Sequence, residues 1–210
     1  MGSIFLHSRA MRILILQAHP RPSASIAQKA LVHAARQVKG VSLHDLYEAY
    51  PDHVIDQKAE QALLLSHDLI IFQHPFYWYS SPSIIKEWQD IVLDFGWAYG
   101  PGGDKLHGKY LMSALTTGGA ASAYHAKGRN RFEVEELLAP FNQTAFLCGM
   151  AWLRPFIIYE GRRLTAHELT QQAEDYRSLL EGLVSGRTRP LTLLSKHYTL
   201  PSSFRNASPP

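Results

Sequence analysis

The stretch His74-Pro75-Phe76-Tyr77-Trp78-Tyr79-Ser80-Ser81-Pro82 sets four large aromatic side chains in a row between two prolines that fix the backbone. Folding gains little from displaying such rings at a loop tip. They fit stacking against something flat and apolar, or else plugging the end of the core or a subunit contact. A second stretch, His19-Pro20-Arg21-Pro22-Ser23-Ala24-Ser25, leads into a run of helical spacing. The free N–H groups and positive dipole end of such a helix suit a phosphate, with the Ser23 or Ser25 hydroxyl and the His19 ring as further donors. The alternative is that Ser25 only caps the helix and His19 only closes the strand before it. In Thr116-Thr117-Gly118-Gly119 the lack of bulk lets backbone approach the edge of a planar ligand and donate N–H bonds, unless the stretch is an ordinary turn.

The elements that must position these stretches follow from hydrophobic period. Arg12 to Ala18 is a continuous β-branched and leucine run, the pattern of a strand buried on both faces of a parallel sheet. Ile26, Ala27, Ala30, Leu31, Ala34 and Val38 recur at helical spacing until Gly40, and Ser25 with Gln28 makes a capping box at the start. Val41 to Leu46 reads as a second strand, Tyr47 to Asp56 as turns, and Ala59, Ala62, Leu63 and Leu65 as a helix face. Asp68 to Gln73 is the third strand, and Ile84, Ile85, Trp88, Ile91, Val92 and Phe95 form the clearest apolar stripe in the chain. Gly96 to Gly108 is a long loop presenting Trp97 and Tyr99. Lys109 to Leu115 is the fourth strand, and Arg131 to Gly149 a helix interrupted near Pro140. Ala151 to Tyr159 is the fifth strand, with Pro155 arguing for an edge position, and a last helix runs from Thr165 through Leu183. Met1 to Ala10 reads as a leader, a tag or an early start ahead of Met11, residues 11–185 as one domain, and residues 186–210 as a loosely docked or disordered tail.

Strands alternating with helices predict an α/β fold: an open, doubly wound, five-stranded parallel sheet, for which this chain length suits the order 2-1-3-4-5. Strands 1, 3 and 4 are then neighbours, and the three stretches converge at the carboxyl edge of the sheet, where such folds bind ligands. Aromatic turn, anion cradle and glycine-lined edge together describe a flat heteroaromatic ring on a phosphorylated tail, which flavin mononucleotide (FMN) fits. The 210 residues, 46% hydrophobic and 19% charged, are ordinary for a globular protein. The charge of +3 and pI near 9.0, with no Lys/Arg-rich segment interleaved with aromatics, give a nucleic-acid partner no support. One cysteine, Cys148, excludes an internal disulfide, and the 11 histidines lack metal-ligand spacing. There is no G-x-G-x-x-G after the first strand, no G-x-x-x-x-G-K-[ST] and no G-x-S-x-G elbow. No apolar stretch approaches the roughly 20 residues that span a bilayer, and Met1 to Ala10 lacks a signal-peptide core, so the cytoplasm is the expected compartment.

From Met11 to about Leu183 the chain resembles the flavodoxin-like NAD(P)H:quinone oxidoreductases, most closely the short branch that includes ancillary flavoproteins of glutathione-regulated potassium-efflux antiporters. The resemblance rests on Gln17-Ala18-His19-Pro20, Asp45-Leu46-Tyr47, Tyr50-Pro51-Asp52, Gln73 through Ser80, Pro82 with Lys86-Glu87-Trp88, Gly96-Trp97-Ala98-Tyr99-Gly100 and Thr116 to Gly119. It implies a homodimer with a flavin at each subunit contact, reduced by NAD(P)H and reoxidised by a quinone in a two-electron, ping-pong cycle. Carried over, His19 and Ser25-Ile26-Ala27-Gln28 hold the ribityl phosphate. Phe76, Tyr77, Trp78 and Tyr79 line the ring system, and Thr116, Thr117, Gly118 and Gly119 bond its pyrimidine edge. Tyr124 matches a tyrosine that sits over the flavin and aids proton transfer. Trp97 and Tyr99 match the loop that closes the neighbouring subunit's pocket, which makes Tyr99 a second catalytic-site residue. Where the mammalian branch has a histidine six residues after that tyrosine, this chain has Asn130, which implies a route through Tyr124 and water. The longer C-terminal part that larger members use for the adenine half of FAD has no clear counterpart, which favours FMN over FAD.

Two functions follow. The first is an FMN-dependent NAD(P)H:quinone oxidoreductase; the alternative is a regulatory ancillary subunit of a glutathione-gated potassium-efflux antiporter, peripheral to the inner membrane through that partner. A flavodoxin-like electron carrier is weaker, because it calls for an acidic surface. Lys127, Arg129 and Arg131 could meet a pyridine-nucleotide phosphate, and the choice between NADH and NADPH stays open at this point.

Overall fold

The computed structural model describes residues 10–196, 198 and 200–205. Six strands, β1 (Ile13–Gln17), β2 (Val41–Asp45), β3 (Leu69–Pro75), β4 (Tyr110–Thr116), β5 (Ala151–Trp152) and β6 (Phe156–Ile158), form one parallel sheet in the order β2-β1-β3-β4-β5, with β6 also paired to β4. The helices are α1 (Ile26–Arg36), α2 (Leu46–Ala49), α3 (Gln57–Ser66), α4 (Ser83–Val92), α5 (Val134–Leu137), α6 (Ala139–Leu147), α7 (Ala166–Val184) and α8 (Ser202–Arg205). The expected order 2-1-3-4-5 is the one observed. The single fifth strand expected over Ala151 to Tyr159 is instead two short pieces. Pro155 has no N–H to give β4 and falls in the gap between them, at the edge where proline is tolerated.

Strand side chains alternate between two cores. Ile13, Ile15, Leu69 and Ile71 pack under α1 and α7, against Leu31, Tyr176 and Leu180. Leu14, Leu16, Ile70 and Phe72 pack on the other face, against Leu64 of α3, Trp88 of α4 and Phe141 of α6. Because both faces are covered, the strands read as unbroken apolar runs rather than alternating ones. Two regions hold more structure than hydrophobic period predicts. Tyr47 to Asp56, read as turns, begins inside α2, which Asp45 caps by accepting from the Tyr47 and Glu48 N–H groups. In the C-terminal tail, Pro190–Leu193 forms a 3-10 turn and docks on the β5 edge: the Arg154 N–H donates to Leu193 O (2.7 Å), Ser195 Oγ donates to Glu135 (2.6 Å), and the Phe204 ring lies 5.6 Å from Tyr110. The leader expected at Met1 to Ala10 lies, apart from Ala10, outside the described residues.

One buried carboxylate ties the β2 side of the sheet together. Glu60 of α3 is 1% exposed and accepts from His44 Nε2 of β2 (2.7 Å), Tyr50 OH (2.6 Å) and Trp88 Nε1 of α4 (2.7 Å). Burial alone would push the carboxyl up, but these three donors outweigh it and hold Glu60 below its ordinary 4.5. The same hydrogen bond holds His44 above its ordinary 6.5, against burial. The Glu60 contribution to stability is present above pH 4.5 and is lost as pH falls through the lowered value. The His44 contribution is full below pH 6.5 and is lost as pH rises through the raised value. The pair therefore stabilises most between these two limits. Melting temperatures measured across pH should show the gap between wild type and His44→Gln widest there and closing on the alkaline side. Glu60→Ala should cost about 3–5 kcal/mol in urea unfolding, because it strands three buried donors.

Candidate functional site

The loops after β1, β3, β4 and β6 enclose a cavity of about 630 Å³ at the carboxyl edge of the sheet. Its first wall is the start of α1. Ser25 Oγ accepts from the Gln28 N–H (3.2 Å), while the N–H groups of Ile26 and Ala27 meet no acceptor among the described residues and border the cavity. Such orphan donors at the positive end of a helix are an anion cradle. The return bond of the expected capping box does not form. The Gln28 side chain is buried and drawn to Thr116, donating to its Oγ1 at 3.3 Å, so Gln28 braces α1 against β4 from behind and does not line the cavity.

His19 is 5% exposed and its Nδ1 accepts the Arg21 N–H (3.0 Å). That bond assigns the ring proton to Nε2. Burial first, and then the Arg162 guanidinium, push His19 below its ordinary value, so at neutral pH it is a neutral donor. Arg21 and Arg162 both line the cavity, and neither has an ion pair among the described residues. Arg162 was missed in the sequence, as was Gly161 beside it. The available signal was the Gly161-Arg162-Arg163 turn, which follows an apolar strand at the same edge as the other three loops.

The aromatic turn hangs from β4 by one bond, the Phe76 N–H to Thr116 O at 2.8 Å. Tyr77 and Ser80 then bridge, with the Ser80 N–H on Tyr77 O (2.9 Å), and between them Trp78 (φ 50°) and Tyr79 (φ 63°) are both left-handed. Such a tight turn normally takes Asn-Gly, and each bulky residue there costs roughly 1–2 kcal/mol. The strain aims the rings. Phe76 and Tyr77 face the first cavity, whereas Trp78, which is 93% exposed, and Tyr79 line a second one of about 450 Å³. Phe76 and Gly118 border both, so the two spaces adjoin.

Thr116, Thr117 and Gly118 border the first cavity, and Gly118 and Gly119 the second. Thr117 pins the loop, with its N–H on Ile158 O (2.8 Å) and its Oγ1 on Gly119 O (2.7 Å). A Cβ on Gly118 would meet no protein atom within 4 Å, so packing within the chain does not require glycine there; on Gly119 it would come 3.3 Å from the Tyr124 ring. Tyr124 lies 6.1 Å from Phe76 and 5.9 Å from Tyr159, ring centre to ring centre. Burial raises its phenol above the ordinary 10.0, opposed by a hydrogen bond to Thr117. Tyr79 OH donates to Asn130 Oδ1 at 3.3 Å. Of the expected site residues, only Gln28 and Tyr99 border neither cavity. Tyr99 instead packs edge-on against Phe95 at 5.7 Å, and its carbonyl accepts the Gly96 N–H at 2.8 Å.

Residues 11–180 match the model of a family described as having a flavodoxin-like fold. The glutathione-regulated potassium-efflux system ancillary protein KefG of Pectobacterium atrosepticum is 50% identical over 169 residues, covering 80% of this chain and 92% of that protein. Among solved structures, general stress protein 14 from Treponema denticola in complex with FMN is 38% identical, with a TM-score of 0.77 over 82% of this chain and 99% of that one. An NADPH-quinone reductase from P. pentosaceus is 29% identical, with a TM-score of 0.75 over 81% of this chain and 98% of that one.

The left-handed turn makes a direct prediction. Trp78→Asn should stabilise the ligand-free protein by about 1 kcal/mol, since the exposed indole contributes little and asparagine tolerates the left-handed region. Urea unfolding midpoints of the two proteins check it, and a loss of stability would mean that the indole packs on something.

Proposed function

The chain belongs to the flavodoxin-like family, and from that premise we propose that it is an FMN-binding ancillary protein of a glutathione-regulated potassium-efflux system that also has NAD(P)H:quinone oxidoreductase activity. Of the two functions the sequence offered, the ancillary one gains more from the relatives, since KefG matches over most of both chains. The NADPH-quinone reductase neighbour supports retaining the enzymatic one. The observation that carries the proposal is the first cavity. At one end stand the unpaired N–H groups of Ile26 and Ala27 with two uncompensated guanidiniums, and along the rest run the Phe76 and Tyr77 rings and the open face of Gly118. These residues fit a phosphorylated flat ring.

On this reading Ile26, Ala27, Ser25, His19 and Arg162 hold the phosphate, Phe76 and Tyr77 bury the ring, and the Gly118 and Gly119 backbone meets its polar edge. A flavin bound there supplies two-electron hydride chemistry. The chain orients it, keeps water from it with aromatic walls, and provides a proton. The Tyr124 hydroxyl, kept protonated by burial, stands beside the shared border of the two cavities as a donor to negative charge developing at the ring edge. Asn130 cannot supply a proton as a histidine can, so water completes the path.

Among the described residues no helix is long and apolar enough to cross a membrane. We extend the proposal to a homodimer in which the loop of Trp97 and Tyr99, with the 63% exposed Phe95, covers the neighbouring subunit's pocket.

Visible absorption of the purified protein tests the core of the proposal. A flavin spectrum should bleach with NADPH under anaerobic conditions and return with a small quinone. Arg162→Ala should weaken FMN binding by roughly tenfold or more while leaving riboflavin binding unchanged, because a charge-assisted phosphate contact is worth about 1.5–3 kcal/mol. A colourless protein that takes up neither flavin would sink the reading. The ancillary role is checked by potassium efflux from cells expressing the transporter with and without this chain, which should rise with it.

A further inference from the structure

The outer edge of the sheet carries a segment that the flavin reading does not use. Residues 193–196 lie beyond residue 180, where the match to the flavodoxin-like family ends. They run antiparallel along the break between β5 and β6: the Arg154 N–H donates to Leu193 O (2.7 Å), Leu153 bridges Leu194, and the Ser195 N–H donates to Trp152 O (3.3 Å). Ser195 is 4% exposed and its Oγ donates to Glu135 at 2.6 Å, while the Lys196 ammonium beside it pairs with Glu133. Both carboxylates belong to the start of α5, Glu133 as its N-cap. One turn of helix does not hold itself in place, so α5 takes its position from what it touches. Val134 and Leu138 anchor it in the core, and Ser195 and Lys196 hold its acidic residues. The bond to Glu133 first, and then the charges of Glu133, Glu135 and Glu136, hold Lys196 above its ordinary 10.5, so this one cation offsets three neighbouring carboxylates.

The start of α5 is also the far end of the loop that carries Tyr124. Between Thr117 and Glu133 the chain holds one 3-10 turn, Ala121–Ala123, and folds back on itself with the Asn130 N–H on Ala123 O at 2.9 Å. A Cβ on Gly128 would come 2.5 Å from Ala123 O, so the loop is drawn tight at its base and its placement follows from its two ends. Thr117 fixes one end on Ile158 O, and Glu133 is the other. Glu135 and Glu133 stand close enough to Tyr159 to add to the rise that burial and Tyr124 impose on its phenol, and Tyr159 faces Tyr124 at 5.9 Å. We infer that residues 193–196 are a strap that positions Tyr124, with Ser195 and Lys196 as its positioning residues, acting through the start of α5. The inference rests on the proposed function, in which Tyr124 is the proton donor at the ring edge. Ser195 carries more of the effect, because its bond is buried on the serine side and made to a charged acceptor, whereas the Lys196 pair is half exposed and screened by water.

Hydrogen exchange of the whole, ligand-free chain tests the strap, and kinetics of the FMN-loaded protein test what it positions. Ser195→Ala keeps the backbone pairing and removes only the hydroxyl. Peptides spanning residues 120–133 should then exchange at least about tenfold faster, as loss of a hydrogen bond to a charged group predicts, while those of β1 and β3 stay unchanged. Lys196→Ala should give a smaller rise, and Lys196→Arg should restore wild-type exchange. Glu135→Ala should match Ser195→Ala, and the double variant should be no worse than either, since all three lack the same bond. Should Ser195→Ala loosen the sheet as well, Glu135→Ala breaks that bond from the α5 side and decides. With NADPH and a small quinone, Ser195→Ala should lower kcat by about tenfold, a fraction of what a positioned proton donor contributes, with FMN affinity and KM for NADPH unchanged. Unchanged exchange over residues 120–133 in both single variants overturns the strap. Faster exchange there with kcat unchanged overturns the positioning role. A protein that takes up no flavin defeats the proposed function and the positioning role with it, while the exchange measurement, made without flavin, still decides the strap.

Discussion

Thr116 is the point from which the functional edge of this molecule is built. Parallel pairing of β3 with β4 runs on to Pro75 opposite Thr116, and one further bond, from the Phe76 N–H to Thr116 O, fixes where the aromatic turn begins. The Thr116 hydroxyl accepts from Gln28, which sets the first turn of α1 relative to the same residue. One residue on, Thr117 bonds Ile158 O through its N–H and takes the Gly161 N–H on its own carbonyl at 3.0 Å, bringing in the turn that carries Arg162. Four loops from distant parts of the sequence are thus measured from two adjacent threonines. A cavity assembled on a strand end in this way is more rigid than one made of loops alone.

Beneath that edge the sheet buries polar groups a plain core would not. Gln73, His74 and Ser113 are fully buried, and Gln73 Oε1 accepts from Tyr176 OH at 3.1 Å. His74 lies stacked at 6.0 Å on Phe141, with Nδ1 facing Pro75 O at 3.0 Å, and burial pushes it down to about 4, so it remains neutral. Together with the two left-handed aromatic residues, these groups are a stability cost concentrated at one end of the molecule, where a site gains from fixed shape. The opposite arrangement holds at the β2 side. There the buried carboxylate of Glu60 has three donors and braces the sheet against α3 and α4.

How much of this was legible in the sequence depends on how local each signal was. Strand order followed from the alternation of apolar runs with helical stripes, and the first three loops were marked by composition that folding alone does not explain. Gln28 was misread as a reciprocal cap because capping is judged from neighbours, while its amide answers to Thr116, 88 residues away. Arg162 and Arg163 were not singled out, since their strand is split by Pro155 and too short to announce a loop at the carboxyl edge. Glu60 drew no notice either, because its three donors, His44, Tyr50 and Trp88, all lie outside α3, 16, 10 and 28 residues away. Long-range polar partners leave no periodic trace.

The adjoining cavities also bear on kinetic order. Under the proposed function the flavin would occupy this shared space, bordered by Phe76 and Gly118. A single opening beside Trp78 and Tyr124 would then have to serve donor and acceptor in turn, which is the alternation that a ping-pong cycle requires. Trp78, at the tip of the same strained turn, is almost wholly exposed, so under the proposed ancillary role this turn is the part of the site that a partner protein could reach without entering the cavities.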